Sequence, residues 1–356
     1  MRILIFNWKD LAHPRAGGAE VLTEEVARAL VRLGHPVTLF ASAVAGRARR
    51  ETVQGVEIVR RGGRLGVYRA AREFWEELPE GSYDVVIDEI NTRPFLTPRW
   101  IHGTPVVALI HQLAREIWFY ETHFPVSVVG RYVLEPRWLR AYRDVPCLTV
   151  SRSSAESLAR HHGWQNVRVI PEGGRQHPVP DVPKDPEPTV VFLGRLVAMK
   201  QPEHALRAFD VLSETFPETR LWVIGDGPLL ARLRKRASPR VSFLGRVETE
   251  ELRNLLARAH VLVATSVREG WGLNVSEAAA CGTPAIGYAV PGLVDSIPAS
   301  GGSLVDPSPE ALGRALVEFF SGRLRLQPRI STAPWPEVAD AVERFLLEAI
   351  RRPPAA

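Results

Sequence analysis

The chain has 356 residues, 45% hydrophobic and 24% charged, which is typical of a soluble globular protein and too long for one ordinary core. The formal charge of +5 favours anionic partners without identifying them. No apolar run reaches the roughly 18 residues of a spanning helix, the N-terminus lacks a signal-peptide pattern, and Cys147 and Cys281 have no metal-binding spacing. We therefore expect a cytoplasmic protein with two domains.

The chain opens with a strand–helix–strand unit. Residues 2–7 predict a short apolar strand, residues 21–33 have apolar positions at helical spacing, and residues 36–40 predict the next strand. Gly17 and Gly18 lie in the loop before the helix, where glycine lets the backbone approach a phosphate or a sugar closely. A plain tight turn is the alternative, and the spacing is not that of a dinucleotide fingerprint.

Further strands are predicted over residues 53–60, 84–88, 105–110 and 147–150. His111 directly follows the strand over 105–110. Because ligands of open α/β sheets collect beyond the carboxyl ends of the strands, His111 is a candidate site residue.

Residues 112–143 are less regular and mix aromatic residues with arginines. Such a mixture can lie on an anionic membrane surface. It can also be simply a helix packed on the sheet with its arginines in water, which is the interpretation we favour.

A proline-rich segment over residues 171–188 predicts an interdomain linker. From residue 189 onward short apolar strands alternate with helices, which indicates a second parallel sheet covered on both faces. The predicted fold is therefore α/β, with two doubly wound Rossmann-like domains that face a central cleft.

The loop Gly194–Lys200 (GRLVAMK) follows the first strand of this second half. A forked guanidinium at Arg195 and an ammonium at Lys200 would suit a diphosphate. The alternative is a surface loop whose cations contact only water.

The stretch over residues 268–284 (REGWGLNVSEAAACGTP) places Glu269 in a glycine-rich loop and Glu277 where a helix is expected to begin. A strand, a glycine-rich loop and a helix N-terminus together form a site for an anion. Two carboxylates beside it suggest a ligand with hydroxyl groups as well as phosphates, as in a nucleotide sugar. An exposed loop acid and an ordinary helix acid are the alternative.

These motifs, taken in order, resemble the retaining GT-B glycosyltransferases of family 4 (glycosyl transferases group 1). The resemblance rests on Gly17-Gly18, the GRLVAMK loop, Gly225-Asp226-Gly227-Pro228, Phe243-Leu244-Gly245-Arg246-Val247 and, most specifically, Glu269-x7-Glu277. It covers nearly the whole chain and is strongest over residues 194–291.

The resemblance implies a role for each matching residue. The implied catalytic residues are Arg195 and Lys200 at the donor diphosphate, Glu269 at the donor sugar, and His111 beside the reacting carbon. The implied donor-binding residues are Gly17, Gly18 and Gly194 near the phosphates, Arg246 and Val247 at the base, Gly270, Trp271, Gly272, Leu273 and Asn274 through their N–H groups, and Glu277 at the ribose. No metal ligand is implied, and no cofactor is required beyond the nucleotide-sugar co-substrate.

The implied activity is metal-independent transfer of a hexose from a UDP- or GDP-linked donor to a glycan, lipid-linked or small-molecule hydroxyl. We expect an acceptor-side domain over residues 1–170, a donor domain over residues 189–334, and a C-terminal helix over 335–351 that returns to the first domain. The expected partners are the donor, a sugar or lipid-linked acceptor and an anionic membrane surface, with no nucleic acid. A GT-B-like epimerase and a non-catalytic nucleotide-sugar binding protein remain as alternatives.

Overall fold

A computed structural model describes residues 1–174 and 178–351. They form two compact units. The first comprises residues 1–115, 129–173 and 333–351, and the second comprises residues 116–128, 174 and 178–332. Residues 175–177 of the predicted linker, and residues 352–356 of a tail that the sequence predicts to fray, lie outside the described residues. Within the described ranges, no helix is both long and apolar enough to cross a membrane.

The secondary structure alternates between strands and helices along most of the chain. The strands are β1 (Ile3–Phe6), β2 (Val37–Ala41), β3 (Arg50–Val53), β4 (Val56–Arg60), β5 (Val85–Ile90), β6 (Val106–Ile110), β7 (Cys147–Thr149), β8 (Val167–Val169), β9 (Gly173–Gly174), β10 (Thr189–Leu193), β11 (Arg220–Ile224), β12 (Val241–Gly245), β13 (Val261–Ala264), β14 (Ala285–Tyr288), β15 (Ser303–Val305) and β16 (Ala333–Pro334). The helices are α1 (Gly18–Arg32), α2 (Val67–Glu76), α3 (Ile117–Glu121), α4 (Val126–Val129), α5 (Glu135–Leu139), α6 (Arg152–His162), α7 (Pro202–Thr215), α8 (Leu230–Arg234), α9 (Thr249–Arg258), α10 (Leu273–Ala280), α11 (Leu293–Ala299), α12 (Pro309–Phe320) and α13 (Trp335–Arg351).

The first unit is built on an eight-stranded sheet in the order β3-β4-β2-β1-β5-β6-β7-β8. All neighbouring strands are parallel except β3 and β4. The chain runs from β1 towards β3 on one side and from β5 towards β8 on the other, so the order reverses between β1 and β5. Ligands of open α/β sheets bind beyond the carboxyl ends of strands at such a reversal.

One strand prediction in this unit was wrong in form. Residues 53–60 were expected to be a single strand, but β3 and β4 form an antiparallel hairpin. Gln54 (φ 49°) and Gly55 (φ 85°) both have left-handed backbone conformations, as a two-residue turn between paired strands requires. The alternating exposure of β3, with its charged Arg50 and Glu51, marks it as a sheet edge.

Helices α1 and α13 pack against each other in the first unit. Each presents an apolar stripe at helical spacing, with Leu22 and Leu30 buried on α1 and Val338 and Leu346 buried on α13. The N-terminus of α6 is capped by Ser151, whose Oγ accepts a hydrogen bond from the Ser154 N–H at 3.2 Å.

The second unit is built on a six-stranded, fully parallel sheet in the order β12-β11-β10-β13-β14-β15. Strands β10, β11 and β13 are buried almost throughout, as expected of strands covered on both faces. The strand order reverses between β10 and β13, so the loops that follow these two strands lie at the reversal.

Candidate active site

Four loops of the second unit are joined by backbone hydrogen bonds at the carboxyl ends of β10, β11, β13 and β14. The Leu196 N–H donates to the Asp226 carbonyl at 2.9 Å, which links the loops after β10 and β11. The Val267 N–H donates to Met199 at 2.9 Å, and the Glu269 N–H donates to Pro291 at 2.9 Å. The parallel sheet thus brings together segments that are up to about a hundred residues apart in sequence.

Lys200 and Glu269 form an ion pair at this edge of the sheet. Lys200 Nζ donates a hydrogen bond to Glu269 Oε1, and Ser266 Oγ donates to the same oxygen at 2.5 Å. The side chains are 19% and 10% exposed, respectively, so the pair is largely shielded from water. Within the described chain the second oxygen, Oε2, accepts no hydrogen bond and remains available for a hydroxyl group of a ligand.

A glycine that sequence reasoning missed fixes the position of Glu269. Gly292 has φ +85°, and a Cβ there would lie 2.4 Å from the Glu269 carbonyl oxygen. A side chain at this position would therefore clash with the loop as well as strain the backbone. In the sequence, the only indication of this role is the Pro291-Gly292 pair, which is typical of an ordinary turn.

The loop after β10 is similarly crowded. Gly225 has φ +129°, and a Cβ there would lie 2.0 Å from the Gly194 carbonyl oxygen. Thr265 Oγ1 donates to the Lys200 carbonyl at 2.8 Å, which ties the loop to the end of β13. Arg195 extends from this loop into solvent, and its guanidinium makes no hydrogen bond or ion pair with other described residues.

The prediction that a helix begins at Glu277 was wrong. Helix α10 begins at Leu273, with Gly272 (φ 106°) as its N-cap, so Glu277 lies one turn into the helix. Asn274 Nδ2 donates to the Leu193 carbonyl at 3.0 Å, which fixes the first helical turn next to the end of β10. The first N–H groups of a helix have no partner inside it, so the turn that begins at Leu273 has the N–H groups and the dipole end that suit an anion.

Glu277 is exposed, and within the described chain its carboxylate accepts no hydrogen bond. The protein around it nevertheless desolvates the carboxylate and raises its pKa. Trp271 lies two residues before the start of α10, and its indole N–H donates to Ser276 Oγ at 2.9 Å. Arg246 and Val247 follow β12, the edge strand beside β11, and Arg246 is exposed. The remaining predicted donor residue of this unit, Gly270, lies in the loop between Glu269 and α10.

The other predicted site residues belong to the first unit. Gly17 and Gly18 begin α1, with Gly17 as its N-cap. The Gly17 N–H donates to Glu20 Oε2 at 2.6 Å, and Glu20 in turn pairs with Lys9 at 3.0 Å. The glycine pair is therefore held by a buried ion pair rather than standing as a free loop.

His111 follows β6 and contacts a buried carboxylate that the sequence analysis did not single out. Its Nε2–H donates to Glu89 Oε1 at 3.0 Å, and Glu89 also accepts a hydrogen bond from Thr23 Oγ1. Burial acts to lower the pKa of His111, but the hydrogen bond and charge of Glu89 outweigh it, and the pKa is raised. The ring is thus held in one orientation and biased towards its protonated form.

A second unpredicted carboxylate, Glu172, lies near His111. It is 4% exposed, and burial raises its pKa to about 7, although the positive charge of His111 and a hydrogen bond from the Gly173 N–H oppose the shift. The signal for Glu89 was an acid inside an apolar strand, VVIDEI. The sequence contains no comparable signal for Glu172, because its position beside His111 depends on the return of the chain after β8.

The comparisons with known proteins concern both halves of the chain. Residues 16–173 match the family model Glycosyltransferase Family 4, and residues 176–333 match Glycosyl transferases group 1. A GDP-mannose-dependent alpha-(1-6)-phosphatidylinositol dimannoside mannosyltransferase from Mycobacterium tuberculosis is 34% identical over 37% of this chain and 35% of its own length. The chain thus spans about a third of that relative.

Other known proteins are similar over nearly the whole chain. A D-inositol 3-phosphate glycosyltransferase from Xylanimonas cellulosilytica is 28% identical over 96% of this chain and 94% of its own length. Sucrose-phosphate synthase from Thermosynechococcus elongatus matches in structure with a TM-score of 0.76 at 21% identity, over 98% of this chain and 96% of that one. WaaG, a glycosyltransferase of lipopolysaccharide biosynthesis, matches with a TM-score of 0.71 at 18% identity, over 98% of each chain. These structural similarities concern the fold, and together with the two family matches they confirm the predicted pair of Rossmann-like domains: the chain belongs to the GT-B glycosyltransferases of family 4.

Proposed function

We propose that the protein transfers a hexose from a nucleotide-diphosphate sugar to a hydroxyl acceptor, with retention of configuration and without a metal ion. The observation that carries this proposal is the shielded Lys200–Glu269 pair at the strand-order reversal of the second unit. A cation and a carboxylate with one unused oxygen are suited to a ligand that has both phosphate and hydroxyl groups.

Lys200 and Arg195 are assigned to the donor diphosphate. Cleavage of the bond between the sugar C1 and the phosphate oxygen leaves negative charge on that oxygen. Preorganised cations stabilise this charge with little rearrangement, and Lys200 is already fixed by its pair with Glu269. The N–H groups at the start of α10, which begins at Leu273, add a positive helix end. These groups supply the charge that a divalent ion supplies in other transferases.

Glu269 is assigned to the hydroxyl groups of the donor sugar and Glu277 to those of the ribose. Both carboxylates have oxygens that accept no hydrogen bond within the described chain, and Glu277 is exposed. The backbone at Arg246 and Val247 is assigned to the base, which is uracil or guanine. Gly17, Gly18 and His111 of the first unit keep their predicted roles at the phosphates and the reacting carbon.

In the proposed reaction the acceptor hydroxyl attacks C1 from the face that the diphosphate leaves. A C–O bond forms to the acceptor while the C1–O bond to phosphate breaks, and the acceptor proton passes to the departing phosphate oxygen. Two of the relatives act, by their names, on a phosphatidylinositol mannoside and an inositol phosphate. Polyol acceptors, free or lipid-linked, are therefore the first to test.

The test is a panel of UDP- and GDP-linked hexoses, read by thermal shift and by release of nucleoside diphosphate with and without acceptor. We expect one donor to stabilise the protein and its nucleotide to be released faster when a polyol acceptor is present. Stabilisation without release would indicate a binding protein, and release of free sugar and nucleotide independent of acceptor would indicate an epimerase-like or hydrolytic enzyme. Either result would overturn the proposal.

A further inference from the structure

The first unit presents an unusual helical surface over residues 129–143. A π-helical turn (Gly130–Leu134), α5 and a short 3-10 helix (Arg140–Tyr142) follow one another here. The residues that face solvent recur about once per helical turn, with Tyr132 and Val133 adjacent. We call them the docking stripe: Val129, Tyr132, Val133, Arg137, Arg140 and Arg143.

The first half of the docking stripe is apolar. Val129 is 41% exposed, Tyr132 is 63% exposed and Val133 is 53% exposed. Single exposed apolar residues are ordinary, but here three share one helical face. The opposite face carries the packing, with Leu139 and Tyr142 buried in the core. The exposed apolar side chains are therefore not needed to hold the helix on the sheet.

The second half of the docking stripe is cationic. Arg137, Arg140 and Arg143 are exposed, and none of their guanidinium groups forms an ion pair or hydrogen bond with another residue in the described ranges. On helix α2, by contrast, two exposed arginines are neutralised within the helix, Arg69 by Glu73 and Arg72 by Glu76. Three unneutralised cations in succession are what an anionic surface would complement.

Further positive charge lies beside the docking stripe. The Arg131 guanidinium lies 5.1 Å from the ring centre of Tyr132. Burial, together with the charges of His161, Arg115 and Arg131, lowers the pKa of His162 to about 4. These positive charges thus add to the effect of burial in opposing protonation of His162.

We propose that the docking stripe rests on an anionic lipid bilayer, with Val129, Tyr132 and Val133 at the headgroup boundary and the three arginines on lipid phosphates. Amphipathic helices that lie in the membrane interface combine these two chemistries, and an aromatic residue with a polar tip is well suited to that depth. This proposal adds to the transfer reaction and uses none of the residues assigned to the donor.

The experiment is co-sedimentation of the whole protein with vesicles of neutral lipid, or of neutral lipid mixed with phosphatidylglycerol, at low and high salt. We expect binding to the anionic vesicles only, and weaker binding at high salt. Replacing all three arginines (Arg137→Gln, Arg140→Gln, Arg143→Gln) should weaken binding roughly 100-fold, since each cation near such a surface contributes about fivefold. The apolar variant Tyr132→Ser/Val133→Ser should also weaken it.

The matched control is Arg69→Gln/Arg72→Gln/Arg152→Gln, which removes the same charge from exposed positions outside the stripe. It should bind like the wild type, and an equal loss would reduce the effect to overall charge and overturn the proposal. Equal binding to neutral vesicles, or none to anionic ones, would also overturn it. The proposal would also be overturned if the protein formed a dimer without lipid and Tyr132→Ser dissociated that dimer. A second copy of the chain would then be what covers the apolar face. Vesicle binding needs no turnover, so this result is independent of the transfer reaction.

Discussion

Replacing Lys200 by methionine tests the centre of the candidate site. Methionine keeps the length and apolar stem of the side chain but removes its charge, so Glu269 loses its cation and retains only the hydrogen bond from Ser266. The structure predicts two separate consequences, one for stability and one for activity.

The stability cost follows from the shielding of the pair. Removing one partner of a buried ion pair costs about 3–5 kcal/mol. The lower end of this range applies here for two reasons. The side chains of Lys200 and Glu269 are still 19% and 10% exposed, and Ser266 still donates a hydrogen bond to Glu269. For a unit of this size, about 3 kcal/mol lowers the thermal midpoint by roughly 6–12 °C. The activity should fall by about 10²–10³-fold in kcat, as expected when one preorganised charge-stabilising group is lost.

The double variant Lys200→Met/Glu269→Gln separates these effects. It removes both charges, and the amide can still accept the hydrogen bond from Ser266 Oγ, so no unpaired charge is left buried. We expect it to regain most of the thermal midpoint lost by Lys200→Met while donor turnover stays low. Circular dichroism on heating measures the first quantity, and nucleoside-diphosphate release at saturating donor measures the second.

Two outcomes would refute the reasoning. Near wild-type turnover of Lys200→Met would remove Lys200 from the leaving group. Recovery of turnover together with stability in the double variant would show that Lys200 acts only by holding the Glu269 loop in place.

Three further predictions concern single positions. Gly292→Ala should lower turnover and the thermal midpoint, with a loss of at least about 1–2 kcal/mol in stability. The control Gly322→Ala also has a positive φ (+76°) but has open space around it, so it should cost less stability and leave turnover unchanged. Equal effects of the two substitutions would contradict a specific clash with Glu269. Glu277→Gln should raise the donor KM, lowering kcat/KM by about 10- to 100-fold if the carboxylate binds ribose hydroxyls, with an unchanged thermal midpoint. Glu172 binds a proton more tightly in the folded state, because its pKa is raised from 4.5 to about 7, so its stabilising contribution is complete below about pH 4.5 and is lost as the pH rises through 7. Urea unfolding at several pH values should therefore show a fall of up to about 3 kcal/mol across this range, and Glu172→Gln should flatten it; an unchanged slope would exclude Glu172 as the titrating group.

Much of the fold follows from local sequence patterns. Apolar runs such as residues 189–193 predict buried strands, and glycines such as Gly194 mark the turns that follow them, because strand propensity and left-handed backbone are properties of short segments. The family resemblance implied that Lys200 and Glu269 act at one site, and in the structure their side chains form an ion pair. The hairpin over β3 and β4 was missed because an antiparallel edge depends on a two-residue turn, which the apolar pattern of residues 53–60 conceals.

Local stretches of the chain specify the two α/β units and the types of side chain that follow their strands. The pairing of those side chains depends on tertiary contacts: one oxygen of Glu269 accepts hydrogen bonds from both Lys200 and Ser266, and His111 donates to Glu89. The structure also shows that α10 begins at Leu273. The N-terminal end of this helix therefore lies in the loop after Glu269, and not at Glu277. The physical reason is that burial, pairing and pKa depend on neighbours supplied by distant segments, and the strand order of the sheet determines which segments become neighbours.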